Sequence, residues 1–179
     1  SEMTACTAVL ALSEDLKPQL LDMGICEVLL PLTDSPSIEV QGNSAAALGN
    51  LSSKADDYAP FNAVWDKPAG GLHGYLVRFL ESEDTTFQHI AVWTLIQLLE
   101  SGNHELEQHI RDSPHLLDLV RQLQSRIGTF ESEHEQADTS TAADTSGQDV
   151  SPEREIAALS RRIEEILFEE SDDGTSDAK

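Results

Sequence analysis

Apolar positions in the first hundred residues recur at helical spacing and break at short polar or glycine-bearing turns, which predicts successive α-helices. From Gly24, the residues Ile25, Leu29 and Leu32 fall on one helical face, and the run ends at Leu32-Thr33-Asp34-Ser35, where small polar side chains cap and turn. A second helix is predicted from about Ile38 to Leu51. The same two helices return from Gly71 to Leu80 and from about Thr86 to Leu99, so that Gly24 lies over Gly71 at a shift of 47 positions. Without a gap, this shift lays Ser35 on Ser82, Gln41 on Gln88, Ser44 on Ala91, Leu48 on Leu95 and Asn50 on Gln97. Upstream, Ala5–Ser13 repeats the second helix, with Leu12-Ser13 over Leu51-Ser52; downstream, Leu116, Val120 and Leu123 repeat the spacing of Ile25, Leu29 and Leu32. A helix pair of this kind cannot bury its apolar stripe alone, so residues 1–127 are expected to stack. They hold the end of one repeat, two full repeats and the start of a fourth. The opening Ser1-Glu2-Met3-Thr4-Ala5-Cys6 sits within a helical pattern, which suggests a piece of a longer chain.

The pattern changes near Gly128. Residues 1–127 carry eighteen acids and seven bases; residues 128–179 carry fifteen and four, a far denser negative charge. From Thr129 to Pro152 almost nothing is apolar, so residues 128–152 are expected to be a disordered acidic insertion. Beyond Pro152, Ile156, Leu159, Ile163, Ile166 and Leu167 recur at helical spacing and predict one amphipathic helix over 153–169. Its simplest place is third helix of the fourth repeat, capping the stack; a helix left free for a partner is the alternative. Residues 170–179 read as a disordered tail. The net charge of −22 repels nucleic acid and anionic lipid. No run approaches a membrane span or a secretory signal. Cys6 and Cys26 lie in apolar helical contexts without metal-ligand spacing, so both are expected to be buried, reduced thiols in a reducing compartment.

The run Val40-Gln41-Gly42-Asn43-Ser44-Ala45-Ala46-Ala47-Leu48-Gly49-Asn50-Leu51-Ser52 resembles the third helix of an armadillo repeat, and Leu21-Asp22-Met23-Gly24-Ile25 resembles the turn into its second. Together with Ala8–Ser13 and Phe87–Leu95, the block Ile38–Lys54 resembles the C-terminal repeats of the fungal vacuolar protein 8 family. The resemblance implies an all-α, right-handed α-solenoid without catalytic function. It also implies a scaffold on the cytoplasmic face of the vacuole membrane, held there by N-terminal lipids that this chain does not contain. The family serves vacuole inheritance, vacuole fusion, nucleus–vacuole junctions and cytoplasm-to-vacuole or autophagic targeting. Its partners are proteins: a vacuolar adaptor, a nuclear-envelope protein and autophagy-initiation proteins.

Candidate chemistry is sparse. His104 and His109 are five residues apart, about 140° around a helix, so they do not grip one ion. Gly42-Asn43-Ser44 lacks the strand and final glycine of a nucleophile elbow. With no paired apolar-set carboxylates and no phosphate loop, no catalytic residue, metal site or cofactor is assigned. In armadillo proteins the third helices line a groove in which an amide one turn after an aromatic hydrogen-bonds an extended peptide. The matching positions are Ala46 with Asn50 and Trp93 with Gln97, of which only the second keeps the aromatic; the groove candidates are Asn43, Asn50, His89, Trp93 and Gln97. Trp93 reads equally as a core aromatic between stacked helices. The rival reading is an importin-α-like nuclear transport receptor fragment binding basic peptides.

Overall fold

The computed structural model describes residues 2–67, 70–135 and 152–169, with side chains described for 2–67, 70–126 and 152–168. Ten helices are present among them: α1 (Glu2–Leu10), α2 (Lys17–Asp22), α3 (Ile25–Leu32), α4 (Ile38–Ser52), α5 (Ala59–Ala63), α6 (Gly71–Glu81), α7 (Thr85–Leu99), α8 (His104–Arg111), α9 (Pro114–Glu135) and α10 (Pro152–Glu169). The described residues contain no strand, and the architecture is an all-α solenoid. After α1, the helices fall into three triplets, each a short helix, a middle helix and a long third helix. The third helices stack as α1, α4, α7 and α10, and the middle helices as α3, α6 and α9.

The expected helix pairs are the middle and third members of the first two triplets. The short members α2 and α5, of six and five residues, are additions to the pattern. They span too few residues to show a helical period; their sequence signals are Pro18 and Pro60, each in a first turn where a proline loses no hydrogen bond.

The 47-residue spacing is a repeat of interactions as well as of residue types. Gln41 Nε2 donates to the Ser35 carbonyl at 2.5 Å, and Gln88 Nε2 donates to the Ser82 carbonyl at the same distance. Ser35 Oγ accepts from Ser37 N at 3.2 Å, and Ser82 Oγ accepts from Asp84 N at 3.1 Å. Side-chain caps then start the third helices: Ser37 Oγ for Val40 N, and Asp84 Oδ1 for Thr86 N and Phe87 N. Lys17, almost wholly buried, donates from Nζ to the Ser53 carbonyl, so a cation sits at the negative end of α4. Burial lowers its pKa.

Two of the three middle helices, α3 and α6, begin at glycine for a geometric reason. Gly24 caps α3 at φ +75°, and Gly70 and Gly71 open α6 at +96° and +54°, all left-handed. At Gly71 the approach is also close, because Leu72 N and His73 N donate to the Val64 and Trp65 carbonyls at the end of α5.

One apolar core runs from Ala11 to Leu167 through all the triplets. Tyr75, fully buried on α6, meets Phe79 edge-on at 4.8 Å, and Phe79 stacks on Phe87 at 4.5 Å. Val28 holds the place of Tyr75 on α3 yet is 59% exposed, because among the described residues no further middle helix packs on that side. The same edge corrects one expectation. Cys26 is buried, but Cys6 is exposed. Its counterparts Ala45 and Val92 are buried by flanking helices, whereas α1 packs chiefly against α4 alone.

α9 continues to Glu135, seven residues beyond Gly128. The rest of the expected insertion, 136–151, and the tail from 170 lie outside the described residues.

Two outcomes follow from this geometry. A Cβ on Gly71 would stand 2.4 Å from the Val64 oxygen, while one on Gly24 meets nothing within 4 Å. Gly24→Ala should cost about 1 kcal/mol of left-handed strain and Gly71→Ala more than about 3, read by urea unfolding; equal losses contradict the clash. Burial pushes the Cys26 thiol up to about 12. A thiol reagent at pH 8 should therefore modify Cys6 quickly in the native chain and Cys26 only after denaturation.

Candidate functional site

The candidate groove lies along the third helices. Asn43 and Asn50 stand on α4, and His89, Trp93 and Gln97 on α7; all five are partly exposed. Packing of α4 on α7 sets the two groups side by side.

Their side chains divide by what they are already doing. Asn50 Nδ2 donates to the Ala8 carbonyl at 3.0 Å. At the end of α1, Ala11 N bonds the Thr7 carbonyl and Leu12 N the Val9 carbonyl, so the turn passes over Ala8 and leaves its oxygen for Asn50. Asn50 thus ties α1 to α4. His89 Nε2 is 3.2 Å from Glu155 Oε1 of α10, but the angle is not that of a hydrogen bond. Among the described residues, the side chains of Asn43 and Gln97 make no hydrogen bond.

Trp93 packs into the seam. A Cβ on Gly49 would lie 2.7 Å from Trp93 Cζ3 and 2.9 Å from Thr94 Oγ1, so the indole rests on bare α4 backbone. Trp93 therefore packs the helices together, as the core reading expects, and it stays partly exposed one turn before Gln97.

A further residue of this row comes from α10. Its buried positions Ile156, Ala157, Ser160 and Ile163 match Ala91, Val92, Leu95 and Leu98 of α7, which places Arg162 at the position of Gln97. Arg162 Nε is 3.3 Å from Glu100 Oε1, and Nη1 is 3.5 Å from Glu165 Oε2. This register differs from 47 residues because α9 is longer than α6 and residues 136–151 precede α10, so sequence periodicity did not reveal it.

Elsewhere, a cleft of about 410 Å³ opens between α3 and α6, crossed by Lys67–Glu27 at 3.0 Å and Arg78–Asp34 at 3.8 Å. A smaller one, about 320 Å³, is lined by Trp65, His73 and His109, with the His109 ring stacked on Trp65 at 5.3 Å. His104, by contrast, is almost fully exposed and 3.8 Å from Glu107. Among the described residues, no group of three or more His, Cys, Asp or Glu side chains is placed to hold a metal ion.

The family model of the Armadillo/beta-catenin-like repeat matches residues 13–53, which take in α2, α3 and α4. The chain carries an armadillo repeat. The armadillo chain is 64% identical over 126 residues to vacuolar protein 8 of Schizosaccharomyces pombe, covering 70% of this chain and 23% of that protein. Against vacuolar protein 8 of Gibberella zeae it is 52% identical over 167 residues, covering 93% and 27%. The Saccharomyces cerevisiae protein of the same name is 44% identical over 123 residues, covering 69% and 21%. The chain thus spans about a quarter of the length of the curated relatives it matches. No described helix of this armadillo stack is long and apolar enough to cross a membrane.

Because Asn50 alone of the three groove amides serves the stack, Asn50→Ala should cost about 1 kcal/mol in denaturant unfolding. Asn43→Ala and Gln97→Ala should stay within about 0.5. Equal losses at all three would remove the distinction.

Proposed function

We propose that the chain is the C-terminal part of a non-enzymatic armadillo scaffold on the cytoplasmic face of the vacuole membrane. Its likeness to vacuolar protein 8 across 93% of its length is the observation that carries this reading. The scaffold gathers proteins for vacuole inheritance, vacuole fusion, nucleus–vacuole junctions and cytoplasm-to-vacuole or autophagic targeting. Its anchoring comes from lipids at the N-terminus of the whole protein. The apolar edge made by Val9, Leu12 and Val28 suits continuation of the stack into further repeats of the whole protein.

Within this part, the partner surface is the third-helix row around Trp93. An extended segment laid across it finds an aromatic ledge, the unengaged amides of Asn43 and Gln97, and the His89 ring. An importin-like mode suits the site poorly, because Ala46 supplies no second aromatic and Asn50 is occupied by α1.

The test replaces Asn43, His89 and Gln97 together by Ala in the full-length protein and sparing Asn50, so that the stack stays intact. Pull-downs then compare a vacuolar adaptor, a nuclear-envelope partner, an autophagy-initiation partner and a basic localisation peptide. At least a tenfold loss for one vacuolar partner is expected. Unchanged affinity for all of them in a folded triple variant would refute the groove, and tight capture of the basic peptide would favour nuclear transport.

A further inference from the structure

We propose that α10 is a separately releasable latch: it undocks from α7 and α9 as one unit while the preceding repeats stay folded, uncovering the sides of both helices.

The centre of α10 is its weak point. Ser160 stands where α4 has Leu48 and α7 has Leu95, and it is fully buried with no hydrogen-bond partner for its Oγ. The lost volume is recovered one turn earlier, where Ile156 replaces Ser44 and Ala91. What remains is a desolvated hydroxyl in the middle of the docking face, rather than a void. Ser44 of α4 is also buried and unpartnered, but α4 is held by α1, α3 and α7 together. α10 packs chiefly on α7 and α9.

Its remaining polar anchors lie mostly on the surface. His89–Glu155, Arg162–Glu100 and Arg121–Glu164 join α10 to its neighbours at 3.2, 3.3 and 3.6 Å, each with at least one well-exposed partner, so each holds weakly. The strongest clamp is at the far end. Arg111 of α8 donates from Nη1 to the Leu167 carbonyl in the last turn of α10, and Glu107 fixes Arg111 through contacts of 2.8 Å at Nε and 2.6 Å at Nη2. Release of α10 breaks this clamp but no bond within α1–α7, as expected of a unit that opens below global unfolding.

Hydrogen exchange read by mass spectrometry on the full-length protein tests the latch, with peptides from α4, α7 and α10 followed separately. In the native protein α10 should exchange well ahead of α4. Ser160→Ala removes the hydroxyl without adding bulk and should slow α10 exchange about tenfold, leaving α4 unchanged. Arg111→Ala should speed α10 about tenfold, again with α4 unchanged. The latch is disproved if α10 exchanges at the rate of α4 in the native protein, or if Ser160→Ala leaves α10 as fast as before.

Discussion

The structure depends on how closely successive third helices approach one another. α4 is rich in Gly, Ala and Ser where it meets its neighbours, and the seat of Trp93 on Gly49 leaves no room for even a methyl group. A small-residue face brings helix axes together and gives broad contact without long side chains to order. The same contact sets the candidate groove, because the indole that closes the seam also forms the ledge beside Gln97. Fold and site are not separable at this point, and any change that moves α4 from α7 moves the ledge with it.

Turn geometry transmits this spacing along the stack. Each of the first two full repeats closes its middle-to-third helix turn with a glutamine reaching back to a serine carbonyl, and each starts its middle helix on a left-handed glycine. Such interactions are local and identical in form, so they set the same turn between middle and third helix in both repeats. Long-range ties then differ between repeats. Asn50 holds α1 by its unclaimed carbonyl, Lys17 closes the end of α4, and the aromatic chain Tyr75–Phe79–Phe87 fills the second repeat.

The last repeat keeps the architecture by another route. Its middle helix is longer, its third helix follows after residues 136–151, and the volume that Leu48 and Leu95 supply elsewhere is moved to Ile156. Arginine takes a larger part: Arg111, Arg121 and Arg162 each join helices of this repeat to one another or to α7. The last described repeat is therefore held by polar contacts at its edges as well as by the apolar face of Ile156, Ala157, Ile163 and Leu167.

Helical class, the 47-residue repeat and the bounds of α3, α4, α6, α7 and α10 to within about two residues were legible in the sequence, because period and capping are properties of neighbouring residues. The short helices α2 and α5 were not, since five or six residues carry no period. The burial of Cys6 was misread because a residue's own helix does not say whether another helix covers it. The groove amides illustrate the same division: Asn43, Asn50 and Gln97 are alike in sequence, yet only Asn50 is engaged, because the end of α1 leaves one carbonyl within its reach. Local order is written in adjacent residues; which polar groups remain free for a partner is decided by contacts between helices distant in the chain.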